Sequence, residues 1–343
     1  MKRFIPSMLL LAITWLFSGC SSNEPELHIY AWSNYISPTL IEQFEKENHC
    51  RVVINTFDTN ESMFAKLSLG SSGYDVIFPS NYFADLMHEL NLLQKIEATK
   101  LPNLKYVDDA YTKLLTKETT PFAIPYTITT TSIGYRKDKV TIDDPCWNIF
   151  QRENLKGRMT MLNDPRETLG SALKYLGFSI NTVNPLEITK AEKVLIEWKK
   201  NLAKFESEQY KNGLASAEYL VVQGYAGEIM LVHNENKDVI AVIPKEGTIV
   251  SIDMLTVPND APNPDLAFAF INFLLEPKNA LTTILYTQFL VANTAAYDLL
   301  PDHLKKSHIL FPEKSILEKS ELIRNLGEKT SLYNEAWDRV KAY

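Results

Sequence analysis

Short apolar runs alternate with helical spacing over the first third of the chain. The runs are partly β-branched and span residues 27–31, 51–56 and 74–78. After the first run, Leu40, Ile41 and Phe44 share one helical face, and Ser37-Pro38 supplies an N-cap and first-turn pair. This β, α, β, α, β order predicts an α/β fold in which helices cover a mostly parallel sheet.

Two later segments also predict helices. Residues 266–275 are apolar nearly all round, which is typical of a buried helix, and Pro277 marks its end. A second set of apolar residues recurs at helical spacing and predicts an amphipathic helix: Ala191, Val194, Leu195, Trp198, Leu202 and Phe205.

The N-terminus reads as an export signal. Lys2 and Arg3 precede a mainly apolar stretch, residues 4–17, which is shorter than the roughly 20 residues that cross a bilayer. The stretch ends in Phe17-Ser18-Gly19-Cys20, which resembles a bacterial lipoprotein processing box, although Phe17 replaces the usual Leu. We predict acylation of Cys20 after removal of residues 1–19, with 20–26 as a tether; the alternative is an unmodified thiol near an ordinary cleavage site.

Charge and motifs exclude several function classes. Removing the signal takes two of the 35 basic residues and none of the 42 acidic ones, so the formal charge moves from -7 to -9. An acidic chain argues against nucleic acid and is compatible with cationic ligands. No catalytic, nucleotide-binding or zinc motif appears, so we expect no enzyme, cofactor or metal. Cys50 and Cys146 remain, and spacing does not decide whether they pair.

The loops after the predicted strands are the first candidates for a site, because ligands bind beyond the carboxyl ends of strands in open α/β sheets. Residues 32–35 and 80–82 follow the first and third strands and combine aromatic with polar side chains. Aromatic faces attract ammonium groups and cover alkyl chains, while carboxylates pair with the charged ends. These segments therefore suit an amine ligand.

Several longer segments resemble the spermidine/putrescine-binding proteins of bacterial ABC transporters, in order and over essentially the whole mature chain. They include LHIYAWSNY at 27–35, NESMFAKL at 60–67, YDVIFPSNY at 74–82, LNDPRE at 162–167, PKEG at 244–247 and INFLL at 271–275. The resemblance implies a two-lobed type II periplasmic-binding fold, each lobe a mixed, mostly parallel sheet flanked by helices. We expect crossings between the lobes near 127–131, 250–253 and 297–301.

These crossings divide the chain between the lobes. The predicted first lobe comprises 27–128 plus 253–299, and the predicted second lobe comprises 129–252 plus 300–343. The resemblance also implies a ligand trapped in the cleft between them.

The resemblance places ligand contacts on named residues. In the first lobe these are Trp32, Ser33, Asn34, Tyr35, Ser80 and Tyr82. Trp32 and Tyr35 have an alternative as core aromatics at a strand end. Asp164 and Glu167 match acids that hold an amine in the second lobe, and their alternative is capping of a helix N-terminus. Asp253 matches a ligand carboxylate near a crossing, or else is a hinge acid.

Four positions depart from the family pattern. Tyr225 and Ser251 stand where tryptophans are expected, Phe289 stands where tyrosine is common, and Ile323 replaces a polar residue. The acids are kept while part of the aromatic box is lost, so the length of the ligand is the least determined property. Tyr225, Ser251 and Phe289 remain predicted contacts.

Three functions are compatible with these patterns. The first is a monomeric polyamine receptor that closes around its ligand and presents it to a membrane permease, at the outer face of the cytoplasmic membrane or in the periplasm. The second is a receptor of the same fold for another amine, an amino acid, a peptide or a metal, although no adjacent tyrosine pair suggests iron. The third is an enzyme on this scaffold, for which no nucleophile and base are evident.

Overall fold

The computed structural model describes residues 24–70 and 72–343, so the predicted signal peptide and Cys20 lie outside the described residues. The strands are β1 Glu26–Trp32, β2 Arg51–Phe57, β3 Val76–Ile77, β4 Ile124–Arg136, β5 Met159–Met161, β6 Leu202–Phe205, β7 Val221–Tyr225, β8 Val239–Val242, β9 Ile249–Leu255, β10 Leu290–Val291 and β11 Glu321–Leu322.

Helices separate and follow these strands. They are α1 Pro38–Asn48, α2 Asn60–Leu67, α3 Asn81–Glu89, α4 Asp109–Thr112, α5 Pro165–Tyr175, α6 Pro185–Lys199, α7 Tyr210–Ala215, α8 Ala226–Glu235, α9 Pro264–Leu274, α10 Pro277–Thr287, α11 Thr294–Leu299, α12 Asp302–Lys305, α13 Lys314–Leu317 and α14 Thr330–Ala342.

The first sheet is parallel and has the order β2-β1-β3. Successive side chains of a strand point to opposite faces, and β1 uses both. Its Ile29 side chain packs in a cluster with Phe44 of α1, whereas Tyr30 packs in another cluster with Met63 of α2. Helices therefore cover both faces, which confirms the predicted β, α, β, α, β arrangement, with a third strand shorter than predicted.

The second sheet is mixed and follows the order β11-β9-β4-β7-β5-β6. Its long strand β4 changes partners midway: Thr130 lies opposite Val250 of β9, and the next residue, Thr131, lies opposite Tyr225 of β7. The first half of β4 also pairs with β10, and the second half with β8. A single strand thus contributes to two packing units.

Two large hydrophobic clusters define two lobes. One cluster joins β1, α1, α9 and α10 and includes Phe270; the other joins β5, α5, α6 and α14 and includes Trp198. The predicted buried helix at 266–275 is confirmed as α9, and Phe268, Phe270 and Ile271 in it have no exposed surface. Each lobe has its own core, as expected for a chain too long for one.

Two predicted boundaries are wrong. The helix predicted through Leu202 and Phe205 ends at Lys199, and Leu202–Phe205 form β6, because both side chains extend the second-lobe cluster from a strand beside β5. The third crossing predicted at 297–301 also differs. Leu300, Leu304 and Leu310 pack in the first-lobe cluster, and the cluster changes only between Leu322 and Ile323.

Asn81 joins two of the crossings. This buried first residue of α3 accepts a hydrogen bond from the Ile252 amide (3.1 Å) and donates to the Ile323 carbonyl (2.8 Å). The first-lobe helix thereby contacts both β9 and the segment after β11. These bonds fix the two chain crossings side by side.

Within the described residues, no helix combines the length and apolarity needed to span a membrane.

Cys50 and Cys146, whose pairing the sequence left open, are both free and buried.

Candidate ligand-binding site

Asp253 lies at the centre of a hydroxyl cluster on the cleft face of β9. Its Oδ1 accepts from Ser80 Oγ (2.9 Å), and its Oδ2 accepts from Tyr35 OH (2.9 Å) and Thr127 Oγ1 (3.3 Å). Burial raises the pKa of Asp253 to about 6, and these hydroxyl donors oppose that rise because they stabilise the carboxylate. The side chain is therefore a buried but mainly ionised acid at neutral pH.

The turn after β1 supplies Trp32 and Tyr35. Tyr35 is buried in the first-lobe cluster and also donates to Asp253, so it is both a core aromatic and a site residue. The Trp32 indole N–H is buried without an acceptor among the described residues, yet it lies close enough to lower the pKa of Asp253. Ser33 and Asn34 form an exposed turn, in which Asn34 has a φ of 54°.

Asp164 and Glu167 lie at the start of α5. Asp164 is the N-cap: its Oδ1 accepts from the amides of Arg166 (2.8 Å) and Glu167 (3.0 Å), so the capping role is present. Glu167 is buried, and its carboxylate accepts from the Thr131 hydroxyl of β4. Burial, and then the Asp164 charge, raise the pKa of Glu167 to about 8. Burial also raises the pKa of Asp164.

Arg166 lies between these acids in the sequence but contacts other groups. Its guanidinium donates to the Arg324 carbonyl (3.0 Å) and to Asn181 Oδ1 (2.9 Å), and it stacks over the Tyr333 ring at 4.8 Å. Its positive charge favours the ionised forms of Asp164 and Glu167. Burial has the larger effect, so both pKa values remain raised. The pair therefore retains the capacity to bind a further cation.

Tyrosines from both lobes lie beside the second-lobe acids. Tyr82 of the first lobe packs against the second-lobe cluster, with its ring 6.0 Å from Arg166. Burial raises the pKa values of Tyr82 and Tyr225 well above their usual range, and the charges of Asp164 and Glu167 add to the rise. Both phenols therefore stay neutral, with hydroxyls able to donate and rings able to cover a methylene chain.

The residues that depart from the family pattern lie in different surroundings, and Phe289 is the one at a contact between the lobes. A Cβ on Gly227 of α8 would lie 2.5 Å from the Phe289 ring, so the glycine allows a close approach of the two lobes. Ser251 is buried on β9 opposite Thr129. Ile323 is buried in the second-lobe cluster, and its backbone carbonyl accepts a hydrogen bond from Asn81 of the first lobe.

Sequence reasoning missed the threonines of β4. Thr127 binds Asp253 and Thr131 binds Glu167, so alternate residues of one strand contact both groups of acids. The signal was present as threonine at 127, 129 and 131, since alternate residues of a strand share a face. Asn60 and Glu61 at the start of α2 were also missed; burial and the Asp164 charge raise the pKa of Glu61, which places it near the same acids.

A cavity of about 580 Å³ lies behind β4 and β9 and is lined by none of Asp164, Glu167 and Asp253. Ile128, Thr130 and Val250 line it, and these residues alternate with the cleft-facing side chains of β4 and β9. Its walls are mainly apolar, and Glu321 within it already binds Lys174 (2.8 Å). The cavity therefore offers little to a cation. No group of three His, Cys, Asp or Glu among residues 24–70 and 72–343 has the arrangement to hold a metal ion.

Comparison with known proteins places this architecture in a family. The bacterial extracellular solute-binding protein family matches residues 39–312. The chain belongs to that family. Its fold is accordingly the predicted two-lobed periplasmic-binding fold.

Individual solute-binding proteins match the chain almost from end to end. The putrescine-binding periplasmic protein SpuD of Pseudomonas aeruginosa is 33% identical over 366 residues, covering 100% of this chain and 99% of that protein. A putative spermidine/putrescine ABC transporter from Listeria monocytogenes superimposes with a TM-score of 0.86 at 33% identity, over 93% of this chain and 100% of the other. The TpPotD lipoprotein of Treponema pallidum gives 0.83 at 32% identity, over 92% and 99%.

Proposed function

We propose that this protein captures a polyamine, spermidine or putrescine, between its lobes and delivers it to the permease of an ABC importer. The observation that carries the proposal is the placement of acids on both sides of one cleft: Asp253 beside the first lobe, Asp164 and Glu167 on the second. A linear cation with charges at both ends suits this arrangement. The similarity to proteins named for putrescine and spermidine binding supports it.

The charged ends of the ligand would pair with these acids. A buried ammonium without a partner is prohibitively costly, whereas each aromatic face adds roughly 0.5 to 2 kcal/mol. Trp32, Tyr82 and Tyr225 are half-buried and so retain surface for the methylene chain. The complete set of proposed contacts is Trp32, Ser33, Asn34, Tyr35, Ser80, Tyr82, Asp164, Glu167, Tyr225, Ser251, Asp253 and Phe289.

Closure around the ligand would create the surface that the permease recognises. In the described conformation the lobes touch where Phe289 lies against Gly227 and where Arg324 donates to the Leu114 carbonyl; these four residues also line the cavity beside Ile128 and Val250. We propose that the protein works as a monomer outside the cytoplasmic membrane, held by acyl chains on Cys20. Its role is binding and delivery, without catalysis.

Calorimetric titration of the chain from residue 21 onward tests the ligand. Putrescine, spermidine, cadaverine, arginine and ferric citrate are titrated separately. Saturable heat with putrescine or spermidine is expected, and a micromolar dissociation constant would correspond to about -8 kcal/mol. Saturation by another compound with no heat from either polyamine would overturn the proposal.

A second candidate is another amine on the same site. The observation that favours it is the change of residue type at Tyr225, Ser251 and Phe289, three predicted contacts at which the family pattern has tryptophan or tyrosine. Tighter binding of cadaverine or arginine than of putrescine and spermidine in the same titrations would select this candidate.

A further inference from the structure

Asn60 makes three hydrogen bonds to residues of the proposed site, although it was not among the predicted ligand contacts. It is buried at the first position of α2. Its Oδ1 accepts from the Ser80 amide (3.0 Å), and its Nδ2 donates to Ser80 Oγ (3.1 Å) and to Tyr82 OH (3.2 Å). One amide therefore bonds two proposed ligand residues.

The orientation of this amide follows from its partners. The Ser80 backbone N–H can only donate, so the atom facing it is the Asn60 oxygen, and the amino group faces the two hydroxyls. Ser80 Oγ has a single hydrogen, which it donates to Asp253 (2.9 Å). The direction of donation is thus fixed from Asn60 to Ser80 and from Ser80 to Asp253.

The same reasoning applies to Tyr82. Because its oxygen accepts from Asn60, its own hydrogen remains available for an acceptor in the cleft. Tyr82 packs against the second-lobe cluster, beside Arg166 of the helix that carries Asp164 and Glu167. One side chain thereby sets the donor direction of hydroxyls that serve two different groups of acids.

We propose that Asn60 is a positioning residue that orients the Ser80 and Tyr82 hydroxyls so that both donate toward the acids of the cleft. It acts through these two residues and does not touch the ligand itself. The inference rests on the proposed cation-binding function, which it deepens.

Asn60→Asp distinguishes orientation from charge. The substitution keeps the size of the side chain, replaces the donor by an acceptor, and adds a negative charge. If only charge mattered, a polyamine would bind as well or more tightly. Loss of the two donated hydrogen bonds should instead weaken the binding of spermidine and putrescine by about tenfold or more, because the Ser80 and Tyr82 hydroxyls are no longer held with their hydrogens toward the acids.

Two further variants complete the experiment. Ser62→Asp adds the same charge two residues along α2 at an exposed position and should leave affinity unchanged or slightly higher. In a Ser80→Ala background, Asn60→Asp should cost less than in the wild type, because one of its partners is already gone. Full additivity of the two losses, or unchanged affinity of Asn60→Asp, would overturn the proposal.

A readout without ligand separates this inference from the proposed function. The ionisation of Asp253 is followed by carboxyl carbon NMR in the wild type and in Asn60→Asp. The Asp253 carboxyl should titrate at higher pH in the variant, because Ser80 can donate to the new carboxylate instead of to Asp253 and because the two carboxylates repel each other. In the Ser80→Ala background only the repulsion remains, so the rise caused by Asn60→Asp should be smaller there. Equal rises in the two backgrounds contradict the inference even if the protein binds no polyamine; a smaller rise in Ser80→Ala supports it in that case too.

Discussion

Asp253 and Glu167 are both buried carboxyls reached by threonines of β4, but their surroundings differ. Asp253 accepts from three hydroxyls, whereas among the described side chains Glu167 accepts only from Thr131 and has a second carboxyl, Asp164, beside it. Its pKa accordingly rises to about 8, while that of Asp253 rises only to about 6.

The difference favours different protonation states for the two acids. Hydroxyl donors favour the carboxylate form of Asp253, whereas burial and the Asp164 charge favour the protonated form of Glu167. One ammonium group of the ligand would therefore pair with an existing carboxylate. The other would pair with Glu167 after Glu167 releases its proton.

Removing the preformed charge should have the largest effect. Asp253→Asn keeps the shape but leaves the ammonium unpaired, so we expect polyamine binding to weaken by about 2 to 5 kcal/mol. Calorimetry measures the change. Asp338→Asn, at an exposed acid of α14, is the control and should bind like the wild type. Unchanged affinity of Asp253→Asn would remove this acid from the site.

The inducible charge predicts a pH-dependent affinity. Wild-type binding should strengthen from pH 6 to 8, by up to about tenfold per pH unit, because Glu167 must lose a proton to pair with the ligand. Glu167→Gln should bind more weakly at pH 8 and lose most of this dependence. Titrations in two buffers of different ionisation enthalpy count the protons released, and a count of zero in the wild type would contradict the comparison.

Both acid groups can act on one ligand only if the lobes close. Gly227→Ala places a Cβ against the Phe289 ring, so closure should be impeded and affinity reduced by about tenfold, in line with the 1–3 kcal/mol typical of overpacking. Gly227→Ala with Phe289→Leu should recover part of the loss. Small-angle scattering with and without ligand reports closure. If Gly227→Ala alone closes like the wild type, Gly227 has no role in the approach of the lobes.

The last prediction concerns the stability of the protein without ligand. The pKa of Glu167 is higher in the folded protein than the usual 4.5, so the folded state holds more protons between about pH 5 and 8. Stability should therefore decline as pH rises through that window, by at most about 1.4 kcal/mol per unit for this group, and Asp253 should add to the decline up to about pH 6. Thermal melts of the wild type and of Glu167→Gln across this range should differ in slope. Parallel curves would argue against a protonated Glu167.

The sequence predicted the parts of the fold that depend on local pattern. The first sheet and the buried helix α9 follow from periodicity, and the structure confirms them. Leu202 and Phe205 were misassigned because a short strand following a helix can continue its apolar spacing. The crossing between Leu322 and Ile323 could not be predicted from the local sequence, because both side chains are apolar and they differ only in which hydrophobic cluster they join.

Two different signals nominated the candidate site residues. Tyr82 stands out as an aromatic residue in a loop after a predicted strand, whereas Asp253 was nominated only by the family resemblance. Asn60 did not, because an asparagine at the start of a helix is common, and its importance appears only when Ser80 and Tyr82 are seen to share it.

The shared strand β4 also constrains how the chain can fold. The first lobe uses residues from β1 to Leu322, and Ile77 pairs with Thr256, about half the chain away. Such distant contacts form slowly, because a long loop must close before they stabilise anything. The first lobe therefore cannot complete its core until nearly the whole chain has been made. In the proposed exported protein, that delay would keep the chain unfolded while it crosses the membrane.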